Sequence, residues 1–190
     1  MEPEMTTSST RKIVVTGILG AISIVLAITP FGFIPMGAIS ITMMHLPAII
    51  GAILEGPVVG FSVGLIFGLA SLVRAAVAPL SPGDVIFTNP VISVLPRLFI
   101  GPVAWAVYKI LGKLEIPAII LAGFFGSITN TVLVLGAIGV LGIYPWAVLY
   151  PIAITNGLPE AGIIAFASVV IVAAIKQINL RRKPGANLND

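Results

Sequence analysis

Several stretches of this chain are apolar over the thickness of a bilayer, and that restricts its fold more than any other feature. Residues 91–111 carry only Arg97 and, close to the end, Lys109. Residues 13–28, 58–73 and 117–141 carry no charge at all. A helix crosses a bilayer core in about 20 residues at 1.5 Å each. In hydrocarbon every backbone N–H and C=O must be satisfied within the protein, so only helices or a closed barrel span it. A barrel strand alternates apolar and polar residues, and no such alternation is present. Composition agrees, with 58% hydrophobic and 9% charged residues, where soluble domains carry about 25% charged. The expected fold is an all-α integral membrane protein, one membrane domain over residues 1–190. A polar tail is expected at 1–10 and a basic, polar tail at 181–190.

Six transmembrane helices are expected. The first occupies 13–28, and 43–54 spans only if it begins in the segment before it. The third occupies 58–73, with Pro57 suited to its first turn. The fourth runs from Pro90 to near Lys109, the fifth from Pro117, and the sixth over 159–178, introduced by Asn156-Gly157-Leu158-Pro159-Glu160. Residues 30–40, with two prolines and two glycines, read as a loop. Six helices with the N-terminus inside place Arg11, Lys12, Lys109, Lys113, Lys176, Arg181, Arg182 and Lys183 at the inner face. These are eight of the ten basic residues, so both termini are expected to be cytoplasmic.

Arg97 is the residue this setting singles out. A guanidinium keeps its proton and is costly at mid-bilayer, so it marks a ligand site or path, or it snorkels or pairs with an acid. On this topology Arg97 sits about two turns below the outer surface, with Glu160 near the same level and Asn130 deeper. The three can converge on one outward-facing cavity, where Arg97 suits a carboxylate or phosphate or pairs with Glu160. Asn130 serves a ligand or glues helices; Asn156 binds or caps a helix, with Glu160 then favoured by the helix dipole; His45 binds or is a satisfied interface residue. Arg74, Asn89, Phe31, Tyr144 and Trp146 lie at outer ends or loops and complete the candidate set. Trp146 also fits an aromatic belt, and Glu55 reads as a solvated charge.

Several functions are set aside. The chain has no cysteine and one histidine, so no thiolate or multi-histidine metal site is expected. There is no phosphate-binding Gly-rich loop with Lys and Ser/Thr, and no Gly-x-Ser-x-Gly. No enzyme activity, cofactor or metal is expected. The net charge of +3 comes largely from ends and loops, which points to membrane orientation and not to nucleic acid.

Four phrases together resemble one family. They are Arg11-Lys12 before a first helix carrying Gly17, Gly20 and Ala21; Met43-Met44-His45-Leu46-Pro47 leading to Glu55-Gly56-Pro57; Gly126-Ser127-Ile128-Thr129-Asn130-Thr131; and Asn156-Gly157-Leu158-Pro159-Glu160-Ala161. The chain resembles the substrate-binding S components of energy-coupling factor (ECF) vitamin transporters, most closely the pantothenate branch. The resemblance implies a subunit of a prokaryotic plasma membrane that captures a vitamin from outside with its loops and last three helices. It also implies docking through the first helix, at Gly17, Gly20 and Ala21, onto a membrane coupling protein driven by two ATPase subunits. Folate, lipoate or riboflavin are alternative vitamins. A stand-alone channel or facilitator, and a membrane-embedded enzyme or assembly factor, are the readings from other classes.

Overall fold

The computed structural model describes residues 4–29, 33–36, 39–79, 82–112 and 114–176. Its helices are α1 (Glu4–Ile28), α2 (Leu46–Glu55), α3 (Pro57–Val77), α4 (Pro90–Ser93), α5 (Leu95–Ile110), α6 (Glu115–Val140), α7 (Trp146–Ile152) and α8 (Leu158–Lys176). A 3₁₀ helix covers Pro82–Thr88, and a π-helical turn, Ala153–Gly157, joins α7 to α8. Among the described residues, five stretches are long and apolar enough to cross a membrane, with α4–α5 and α7–α8 each forming one of them.

The second expected span takes a different form. α2 has ten residues, too short to cross alone. It packs against α1, α3, α5, α6 and α8, and every residue from Leu46 to Ile53 is buried. A helix apolar on all sides belongs inside a bundle, so Leu46-Pro47-Ala48-Ile49-Ile50-Gly51-Ala52-Ile53 forms the central pillar. The expected loop before it contains two short antiparallel strands, β1 (Phe33–Met36) and β2 (Ile39–Thr42), with Met36 opposite Ile39. With two strands, Pro35 stands on an edge, where its missing N–H is tolerated.

α1 starts at Glu4, inside the segment expected as a polar tail. No proline or glycine lies between Glu4 and Thr16 to stop it. It is the peripheral helix: 17% of its apolar window is buried, against 39% in each of the other four spans. Gly20, Ser23 and Ala27 face inward, with Gly20 against Ile66 of α3. About two turns into α1, Arg11 pairs with Glu55 at 2.6 Å. Glu55, expected to be a solvated charge, keeps only 9% of its side chain exposed, because α1 folds its guanidinium over the end of α2.

α3 meets α5 through a glycine stripe at four-residue spacing. A Cβ on Gly60 would meet Gly101 Cα at 2.8 Å, and one on Gly68 would meet Val94 Cα at 2.9 Å. A Cβ on Gly64 would collide with the carbonyl oxygen of Arg97. Small residues at this spacing bring two backbones together, and here they fix the backbone of the charged residue. Gly64→Val should therefore displace Arg97 and lower both thermal stability in detergent and ligand affinity. Gly136→Val, at a position with open space around it, should change neither, and equal behaviour of the two variants would contradict the assignment.

Candidate functional site

Arg97 owes its environment to the proline before it. Pro96 lacks an N–H, so the carbonyl of Ile92, four residues earlier, has no helical partner from that position. The chain breaks between α4 and α5, and the Arg97 Nη1 donates to the Ile92 oxygen. The guanidinium carbon sits 5.3 Å from the ring centre of Phe67 on α3 and 5.1 Å from that of Phe87 on the 3₁₀ helix. Both are cation–π distances. Arg97 is 5% exposed, and its Nε has no hydrogen-bond partner among the described residues.

This guanidinium lines a cavity of about 260 Å³. That is just below the ~300–1,000 Å³ common for drug-sized ligands, a volume that suits a small molecule. The cavity lies toward the bundle end opposite Arg11, Lys109 and Lys176. Its walls combine the last turns of α3, the 3₁₀ helix, the start of α5, the second half of α6 and the region around the π turn. Apolar lining from Phe67, Phe87, Val134 and Leu135 surrounds a few polar groups. Asn130 of α6 reaches the cavity with its Oδ1 buried and, among the described residues, unpartnered.

Three charged side chains come from helix ends. Arg74, in the last turn of α3, pairs with Asp84 of the 3₁₀ helix at 3.2 Å, and both line the cavity. Glu160 lines it from the first turn of α8 and is 7% exposed. Its Oε1 lies 3.7 Å from His45 Nδ1, and His45 Nε2 is 3.0 Å from Ser127 Oγ on α6. Serine, histidine and carboxylate in that order have the outline of a nucleophile, base and orienting acid. Ser127 and His45 are fully buried, however, and neither belongs to the cavity wall.

The segment before Glu160 differs from the expected helix start. Asn156 caps nothing; it lies inside the π turn of a continuous apolar helix from Trp146 to Lys176. Pro159 cannot donate to the carbonyl four residues before it, and the wider turn accommodates that loss without ending the helix. The turn brings Asn156 and Gly157 to the cavity wall, with Gly157 packed on Thr131.

The structure thus gathers Arg97, Asn130, Asn156, Glu160 and Arg74 around one cavity. His45 stands one contact behind it, through Glu160. Asn89 does not line it: its side chain accepts from Val91 N at 3.0 Å and caps α4. Trp146 packs on Gly139 and Tyr150, and neither Tyr144 nor Trp146 is in the lining. Phe31 lies outside the described residues. Gly17 and Ala21 are exposed on the outer face of α1, and Gly17 has nothing near it, whereas Gly20 points into the bundle. Sequence reasoning missed Phe67, Phe87 and Asp84 as site residues. It also missed the Gly60, Gly64, Gly68 stripe, whose spacing is readable from sequence alone.

A family model described as "ECF transporter, substrate-specific component" matches residues 11–172. The chain is 34% identical over 153 residues to the pantothenic acid transporter PanT of Lactococcus lactis subsp. cremoris, covering 70% of this chain and 76% of that one. It is 32% identical over 102 residues to the pantothenate transporter PanT of Leuconostoc mesenteroides subsp. mesenteroides, covering 51% of this chain and 50% of that relative.

Proposed function

This chain belongs to the family of substrate-specific components of ECF transporters, and we propose that within it the chain captures pantothenate for an ATP-driven importer. The observation that carries the choice of a carboxylate ligand is Arg97, a buried guanidinium held between two rings in a cavity wall. A fixed positive charge in a site of low polarity favours an anion, and a guanidinium suits a carboxylate best. The small cavity fits a compact acid better than folate or riboflavin, and the names of both relatives support pantothenate.

The remaining assignments follow from that reading. By the loop charges, the end bearing Arg11, Lys109 and Lys176 is cytoplasmic and the cavity opens outward from a prokaryotic plasma membrane. A membrane coupling protein and two ATPase subunits supply the drive, with the outer face of α1 at Gly17 and Ala21 as the docking surface. The subunit binds and delivers its ligand without transforming it. Proteoliposomes test the assembly directly. Radiolabelled pantothenate should accumulate only when the coupling protein, both ATPases and internal or external ATP on the nucleotide-binding side are present. Equal accumulation with the chain alone would establish a stand-alone facilitator instead.

A further inference from the structure

The cavity holds a second recognition element, besides Arg97, that a carboxylate cannot satisfy. An ionised Glu160 has only acceptor oxygens, and Asn130 presents a buried amide oxygen without a partner. Arg97 enters from α5, whereas Glu160 enters from α8, which packs on α2 and α6. Glu160 also has a buried imidazole behind it. His45 Nδ1 faces Glu160 Oε1 at 3.7 Å, beyond hydrogen-bond distance and within reach of the carboxylate's charge, while Nε2 is hydrogen-bonded to the Ser127 hydroxyl at 3.0 Å. Ser127 of α6 thereby orients the imidazole of the residue before α2, and that imidazole stands against the Glu160 carboxylate of α8.

We infer that Glu160, positioned by His45 and Ser127, reads hydrogen-bond donors on the ligand at a separate point from the carboxylate bound by Arg97. The inference rests on the carboxylate-ligand reading above and adds a chemical requirement to it. The ligand must carry hydroxyl or amide N–H groups as well as its acid. Lipoate, whose acid is attached to a hydrocarbon chain and a disulfide ring, offers no such donor. Pantothenate offers two hydroxyls and an amide. His45 and Ser127 are positioning residues, since neither lines the cavity.

The test compares two ligands on the purified protein in detergent: pantothenate, and its dideoxy analogue, which keeps the carboxylate and the amide but lacks both hydroxyls. The parent should prefer pantothenate by roughly tenfold to a hundredfold, as loss of hydrogen bonds to a charged acceptor predicts. Glu160→Gln and His45→Leu should bring that ratio close to one. His45→Asn, whose amide nitrogen can stand near the place of Nδ1, should retain most of it. Arg97→Ala should weaken both ligands by a similar factor and leave their ratio unchanged. Thermal stability is read in parallel, because a purely structural role for His45 would lower stability and both affinities without altering the ratio. An unchanged ratio in Glu160→Gln overturns the inference while the carboxylate reading stands. A parent that binds neither ligand overturns the substrate assignment itself.

Discussion

Arg97→Ala is expected to reduce pantothenate affinity by well over tenfold while the protein still folds. Removing one partner of a buried charged pair costs about 2–5 kcal/mol, and each 1.4 kcal/mol is a factor of ten. Among the described residues the side chain makes few structural bonds that its loss would orphan: one to the Ile92 carbonyl and two ring contacts. Its backbone is held independently by the close approach of Gly64. Arg97→Lys should lose less, since it keeps the charge, but it forfeits the planar fork that meets a carboxylate and stacks between rings. Calorimetry on both variants, with thermal melting in the same detergent, checks the expectation. Unchanged affinity in the alanine variant would remove Arg97 from the site. If Arg97 instead served mainly to neutralise Glu160, each single variant would be destabilised and the Arg97→Ala/Glu160→Gln double variant would recover part of the loss.

The second large effect concerns α1. Gly17 and Ala21 lie one helical turn apart on the exposed side of the least buried span. A Cβ on Gly17 would meet nothing within 4 Å among the described residues, so a larger side chain there has room. Against a partner helix the same positions permit backbone-close packing, where van der Waals contact supplies the attraction. Gly17→Leu/Ala21→Leu should therefore abolish ATP-driven uptake while vitamin binding by the isolated subunit survives. Gly20 provides the contrast. It packs on Ile66, so Gly20→Leu should lower the stability of the subunit itself. Loss of vitamin binding in the Gly17/Ala21 double variant with complex assembly intact would reverse the assignment.

How far the sequence reaches can be judged residue by residue. Arg97, Asn130 and Glu160 were legible because a charge or a carboxamide inside an apolar run is conspicuous. Arg74 and Asn156 followed from topology, which put helix ends at one level. Phe67 and Phe87 carried no signal, since an aromatic residue in or beside a membrane helix looks the same facing lipid or facing a guanidinium. Asn156-Gly157-Leu158-Pro159 read as a helix start because proline suits the first turn; a π turn satisfies the same lack of an N–H inside a helix, and local sequence does not separate the two. Glu55 looked solvated because its partner, Arg11, is remote in sequence and meets it only through the packing of α1 on α2. The short α2 is a matter of length: residues 43–54 were visibly apolar, but only the surrounding helices make a ten-residue pillar stable.

The central claim is that this cavity receives a small acid through Arg97. Titration of pantothenate into the purified chain in lipid nanodiscs, in parallel with folate, lipoate and riboflavin, tests it most directly. The expected result is saturable one-to-one binding of pantothenate, not displaced by excess of the other three and lost in Arg97→Ala. Binding of riboflavin in preference to pantothenate, or pantothenate binding that is indifferent to Arg97→Ala, would contradict it.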